Sequence, residues 1–394
     1  CLLPNRPALL PKSLVKSWGI FRLWDEDTAK SFKSGLHPAF RALQARYGSQ
    51  NVSVFSQSRD QDPKKEEYKE LPLSQAIENM EQIEESRRHY IKDWHLFLQL
   101  GESQAQPLSQ DRWPSSAEEF YTVPYIFEDD WMNHPREEKK RRDDFRFCYA
   151  GQAGSHTRLH ADVYMSYSWS TNITGRKRWR MFPPASAPYL RRLPPVDAMD
   201  ALAAAGELGP LSSGKKGWSR YSCARSEMIE FVQEAGETVF VPSNWYHEVL
   251  NLTECISFNH NWCNSVNLPG MYDAMKDEVD DFERRLEDVR VLLKDHATRT
   301  GSQVRTWQQE WTETVQEVVA KDMGWAWAGF WAMVEVNLRE PVCDSRFRPE
   351  NAFVRERVRT MIEDFEQRED FKWLQHSVHT SVHSCKVSLG LTTE

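Results

Sequence analysis

The chain has 394 residues, 40% hydrophobic and 27% charged, with sixteen Trp, twelve Tyr and nineteen Phe. That is the make-up of a globular protein of about two domains, which excludes global disorder. No run of about 18 apolar residues occurs, which excludes a spanning helix, and fifty Lys and Arg against fifty-eight Asp and Glu leave a net charge of −8, which argues against direct nucleic-acid contact.

The opening CLLPNRPALLPK lacks the basic n-region of a secretion signal, so none is expected. With no initiator Met, the numbering is expected to start inside a longer or trimmed protein. Residues 1–85 read as mixed α/β. His37 to Tyr47 suits a helix, with Pro38 in its first turn and Gly48 past its end. NVSVF at 51–55 alternates like a strand, 58–70 reads as a charged loop, and Ser74 is expected to cap a helix running to about Glu85.

From residue 86 to 265 the chain is built of short aromatic and β-branched runs, among them RHYIKD, FRFCYA, TRLHADVYMS, WSTNIT, RWRMF, ETVFV and ECISFNHN. Runs of this kind predict an antiparallel sandwich or barrel. REEKKRR at 136–142 reads as a solvated loop and 185–228 as a surface insertion. Residues 266–374 turn helical. Met271, Met275, Val279, Phe282, Leu286, Val289 and Leu293 predict one apolar stripe, and helices are expected near 307–319, 325–339 and 350–368. These Trp-rich helices could pack within the chain or between two copies, as a homo-oligomer. The S-V-H repeats of 375–394 predict a disordered tail. The seven Cys are odd in number and form no C-x-x-C pair, which excludes a zinc ribbon and fits a reducing compartment.

The chemistry concentrates in His160-Ala161-Asp162. On a strand, i and i+2 share a face about 6–7 Å apart, so the imidazole and carboxylate can grip one ion. His247, after a strand and a Pro-containing turn, is the candidate third ligand, delivered by a loop to a barrel mouth. Two His and a carboxylate suit non-heme Fe(II) and O₂; catalytic zinc uses the same set, so the ligands alone leave the metal open. Lys177, in GRKRWRMFPP, returns along a hairpin towards the same mouth. An ammonium in an aromatic pocket needs an anion, such as the far carboxylate of a dicarboxylate. Thr157 and Tyr90 could add hydroxyl hydrogen bonds. Taken singly, Thr157 and Tyr90 are as well explained by strand propensity and packing; Trp94, Trp179 and Trp245 read as core, and His89, His156 and His260 as structural.

Together, HADVYMSYSWSTNITGRKRWRMFPP and GETVFVPSNWYHEVLNLTECISFNHNW resemble the jumonji-C (JmjC) family of Fe(II)- and 2-oxoglutarate-dependent oxygenases. LLPNRP, HYIKDWHL, VPYIFEDDWMN and DDFRFCYAG resemble one subgroup of it, lysyl hydroxylases of the eukaryotic peptide-chain release factor. The resemblance implies a mainly β fold with α: a double-stranded β-helix (jelly-roll, cupin-like) core, an N-terminal α/β cover and a C-terminal helical bundle. It implies His160, Asp162 and His247 as iron ligands, Lys177, Thr157, Tyr90, Asn259 and Asn261 around the cosubstrate, and Trp169 and Ser170 as a pocket-lining pair. Fe(II), 2-oxoglutarate and O₂ would be required, with ascorbate as reductant in vitro. The partner would be a protein, the release factor, in the cytoplasm or the nucleus, with no membrane or nucleic acid.

Rival readings remain. A JmjC N-methyl-lysine demethylase would share the metal chemistry, but no zinc-reader spacing or basic flank accompanies it. A catalytically silent cupin-type binding protein has no reason to keep His160, Asp162, His247 and Lys177 together. A zinc hydrolase lacks an evident general base and leaves Lys177 unexplained.

Overall fold

The computed structural model describes residues 2–22, 36–58, 66–82, 86–100, 120–135, 145–191, 220–300, 305–342 and 347–392. The basic run 136–142 and most of the 185–228 insertion lie outside the described residues. Two compact units emerge: residues 1–124, 143–162 and 167–261 form the first, and 125–142, 163–166 and 262–394 the second.

The first unit carries twelve strands among its described residues: β1 (Ala8–Leu10), β2 (Asn51–Ser58), β3 (Glu67–Pro72), β4 (Arg87–Trp94), β5 (Arg146–Gly151), β6 (His156–His160), β7 (Tyr167–Thr174), β8 (Lys177–Phe182), β9 (Ile229–Gln233), β10 (Thr238–Val241), β11 (Tyr246–Asn251) and β12 (Cys255–Trp262). They form an eight-stranded sheet in the order β1-β10-β7-β12-β5-β4-β2-β3 and a four-stranded sheet in the order β6-β11-β8-β9. The expected jelly-roll core is present. Residues 1–85 are more than a cover over it, because β1, β2 and β3 hydrogen-bond into the larger sheet itself.

Period-two alternation sorts the larger sheet into two chemistries. Along β7, Tyr167, Trp169 and Ile173 alternate with Ser168, Ser170 and Asn172; along β12, Ile256, Phe258 and His260 alternate with Ser257, Asn259 and Asn261. The apolar set joins an aromatic cluster in which Phe258 meets Trp18, Phe97, Phe120 and Tyr121, and Trp169 stacks on His260 at 4.0 Å. The polar set is left for the interior between the sheets.

Two longer helices accompany these strands, beside three short ones at Leu96–Leu100, Ala187–Leu190 and Tyr221–Arg225. Helix α1 (Pro38–Tyr47) forms as expected, with the His37 ring accepting from the Ala39 N–H. Helix α2 (Leu73–Glu81) starts one residue before Ser74 and has no side-chain cap, its N-cap being Pro72. The expected loop at 58–70 is in part strand. Glu67–Pro72 pairs with β2, since Tyr68, opposite Phe55, packs edge-on against that ring.

The second unit is helical: α3 (Leu268–Arg285), α4 (Glu287–Thr300), α5 (Trp307–Met323), α6 (Trp327–Arg339), α7 (Asn351–Phe365) and α8 (His376–Ser388). The single stripe expected through Leu293 breaks at Leu286, the C-cap of α3, and Glu287 and Asp288 open a new helix with acids in its first turn. Beyond the break Val291 and Leu292 are exposed. The tail expected to be disordered is α8. Its composition is polar, but Val378, Val382 and Cys385 fall on one face and are buried, and Ser381 donates to Glu335 of α6 at 2.7 Å. No helix among the described residues is long and apolar enough to cross a membrane.

Candidate metal and cosubstrate site

All the residues of the site belong to the first unit. Strand β6 ends at His160, whose cross-strand partner on β11 is His247, and the two rings lie 4.2 Å apart. His247 therefore stands on a strand and not on a loop; the turn through Asn244 (φ 59°) only starts that strand. Asp162 also departs from expectation, since the H-x-D segment is not one continuous strand. The chain leaves β6 after His160 and enters a helical turn at Val163. The carboxylate is held instead by Ser168, which donates to Asp162 Oδ2 at 2.7 Å. One ligand atom from each of His160, Asp162 and His247 lies within 4.8 Å of the others.

Hydrogen bonds prepare both imidazoles. His160 Nδ1 is 2.8 Å from the Arg158 carbonyl and His247 Nδ1 is 3.1 Å from the Trp245 carbonyl. A carbonyl only accepts, so each Nδ1 carries its proton and each Nε2 keeps a free lone pair. Burial, with the neighbouring His160, pushes His247 down to about 4, so it is neutral at pH 7 and able to bind a metal.

Lys177 marks the other end. It begins β8 opposite Asn251, whereas His247 lies opposite Met181 on the same strand pair. Four residues of strand separate the two positions, about 13 Å. The lysine is buried, 2% exposed, and donates to Ser257 Oγ at 2.7 Å. Among the described residues it has no carboxylate partner. The hairpin that delivers it depends on Gly175, at φ 78°, where a Cβ would collide with the Glu254 carbonyl.

Between the two ends lies a cleft enclosing about 480 Å³ of atom-free space, part of it open to solvent. Every residue singled out for metal or cosubstrate lines it: Tyr90, Thr157, His160, Asp162, Lys177, His247, Asn259 and Asn261. Ser170 also lines it and donates to Asn259 Oδ1 at 2.9 Å, which turns the Asn259 amide nitrogen outward as a donor. Its expected partner Trp169 does not, because neighbours on a strand face opposite ways and Trp169 stacks on His260. Trp179, read as core, is buried yet lines the cleft and stacks on His247 at 5.7 Å. Trp94 and Trp245 are core, and His89 and His156 are engaged with Ser56 and Gln57.

Sequence reasoning missed Tyr149 and Ser168, which line the cleft, and Ser257, which holds Lys177. Strand parity with Ser170 and Asn259 was the signal that could have found the two serines. A larger groove on the second unit, lined in part by Trp307, Trp311 and Trp373, gathers no comparable ligand set among the described residues.

Comparison with known proteins agrees with this geometry. Residues 147–262 match the family described as JmjC domain, hydroxylase. The chain is 34% identical over 303 residues to the Gallus gallus "2-oxoglutarate and iron-dependent oxygenase JMJD4", covering 75% of this chain and 63% of that protein. The Homo sapiens protein of the same name is 32% identical over 302 residues, covering 75% and 64%. The Arabidopsis thaliana "Arginine-specific demethylase JMJ20" is 30% identical over 311 residues, covering 75% and 60%. The chain thus spans less than two thirds of the length of these relatives.

Proposed function

The chain is a JmjC-domain protein, and on that premise we propose that it is an iron- and 2-oxoglutarate-dependent oxygenase that hydroxylates a lysine side chain of the peptide-chain release factor in the cytoplasm. The observation that carries the reading is the placement of a His-Asp-His set and a buried, carboxylate-free lysine four residues apart along one pair of strands.

The residues fit both groups. Two imidazoles with free Nε2 atoms and one carboxylate, with no thiolate among them, suit Fe(II) and leave positions open. Lys177 is buried and held by Ser257 with no carboxylate partner among the described residues, and a buried ammonium without an anion is costly; the far carboxylate of 2-oxoglutarate would complete it. When bound, iron with 2-oxoglutarate and O₂ supplies oxidation of an unactivated C–H bond, with ascorbate keeping the metal reduced.

The chain's own residues supply placement. Ser168 holds one oxygen of Asp162 and leaves the other for the metal. The Arg158 and Trp245 carbonyls fix both imidazole tautomers. Tyr90 and Thr157 line the same cleft as Lys177 and offer hydroxyl donors there, and the outward amide of Asn259 offers a donor along the cleft. Trp179 and Val249 keep the wall between the two ends apolar, which excludes water from it.

The test is mass spectrometry of recombinant release factor incubated with this protein, Fe(II), ascorbate and 2-oxoglutarate, with His160→Ala as control. A cosubstrate-dependent gain of one oxygen on a lysine is expected. No gain from an iron-loaded protein that still consumes 2-oxoglutarate would remove the release factor as substrate. Because one relative is named as an arginine demethylase, methylated peptides belong in the same experiment, and loss of a methyl group with release of formaldehyde would favour that second reading.

A further inference from the structure

A chain that oxidises a cationic side chain must hold that cation near the cleft, and the cleft's own charges are unfavourable to it. Lys177 lies within it. On β4, Lys92 is not among the residues lining the cleft; it rests over the rings of Phe55 and Tyr90, at 4.6 and 5.2 Å, with Glu66 and Asp93 as its acidic neighbours. An incoming ammonium would meet Lys177, so an anion is needed in addition to Asp162, which belongs to the metal set.

Asp93 stands where that anion is required. In regular alternation it would share the face of Ile91, which is fully buried. Instead the β4–β5 register breaks between Ile91 and Trp94, and Asp93 takes a left-handed conformation, φ 53°, that turns it out to solvent. A break of this kind re-aims a side chain. Here the carboxylate is turned to Tyr149, whose hydroxyl donates to Asp93 Oδ1 at 2.5 Å, the short distance of a charge-assisted bond. Tyr149 lines the cleft, with its ring 6.0 Å from that of Tyr90. Asp93 Oδ2 has no hydrogen bond among the described residues. The arrangement is a carboxylate braced on one oxygen by a cleft-lining phenol, with the other oxygen left open at the rim.

We propose that Asp93, braced by Tyr149, is the recognition site for the cationic side chain of the protein substrate. The inference rests on the oxygenase reading for its purpose but not for its test. The ligand is an ammonium or guanidinium presented on a peptide, approaching over β4 and β5 to the open oxygen of Asp93. Asp93 is a binding residue and has no part in oxidation.

The test is equilibrium binding, by fluorescence anisotropy, of a panel of synthetic peptides of varied flanking sequence, release-factor peptides among them, to the intact protein. Each is made with lysine, Nε-acetyl-lysine or arginine at the same position. The wild type is expected to prefer a lysine or arginine peptide over its acetyl-lysine counterpart by about tenfold, and Asp93→Asn to abolish that preference. Asparagine keeps the shape and tolerates the left-handed backbone, so this variant folds; thermal melting checks it. Tyr149→Phe, which keeps the ring and removes the brace, should reduce the preference in part. A preference that survives Asp93→Asn overturns the proposal. So does an equal weakening of charged and neutral peptides, or a wild type with no preference at all. Turnover is not needed: a protein that binds lysine through Asp93 yet never consumes 2-oxoglutarate would sink the oxygenase reading and keep this one.

Discussion

The two walls of the cleft do different work. The four-stranded sheet supplies both imidazoles and the buried lysine, while the eight-stranded sheet supplies Tyr90, Tyr149, Ser168, Ser170, Asn259 and Asn261, all neutral donors or acceptors. Asp162 comes from the segment that leaves the smaller sheet and is steadied by a serine of the larger one. The difference teaches how a barrel can hold a metal ion and a dianion together. Charges on one wall bind, and hydroxyls and amides on the other orient without adding a competing charge.

The division can be broken most severely on the smaller sheet. His160→Ala or Asp162→Ala should reduce turnover to background, on the order of 1,000-fold or more, with loss of bound iron measured directly. Lys177→Ala should keep the metal but raise the 2-oxoglutarate KM by about 100-fold, since removing one member of a buried charge pair costs about 2–5 kcal/mol. Unchanged affinity in that variant would end the cosubstrate assignment.

The same sheet should also dominate the acid sensitivity of the metal-free protein. Burial, first among its causes, lowers His156 and His247 to about 4, below the unfolded value of about 6.5. Between those values the unfolded chain holds more protons than the folded one. Stability should therefore fall as pH drops from about 6.5 to 4, by up to about 3 kcal/mol per histidine, and these two groups should add no slope above that window. Urea unfolding across that range measures it, and His156→Gln should flatten the slope.

Smaller effects belong to the larger sheet. Ser168→Ala should weaken metal affinity by about tenfold, the usual cost of losing a partner that orients a ligand. A loss as great as that of Asp162→Ala would show that the walls are not divided in this way. Ser170→Ala, which frees the Asn259 amide, should change the cosubstrate KM by about threefold, the effect of one neutral hydrogen bond.

Much of this was legible because it is local. The H-x-D triplet, the glycine turn before Lys177, and the alternation of β7 and β12 are patterns within a few residues of chain. The errors lay where local signals mislead. The polar composition of the last twenty residues hid the spacing of Val378, Val382 and Cys385, and the apolar spacing through Leu293 hid the helix boundary at Leu286, beyond which Val291 and Leu292 are exposed.

By itself the sequence determined which strands alternate, which residues carry the chemistry and that a lysine follows the first ligand pair at hairpin distance, because period and turn chemistry act over short stretches. Only the tertiary structure decided that His247 faces His160 across a strand pair, that Ser168 holds Asp162, and that a register break turns Asp93 towards Tyr149. Those contacts join strands far apart in the chain, and their pairing follows from burying the whole sheet, not from any one segment.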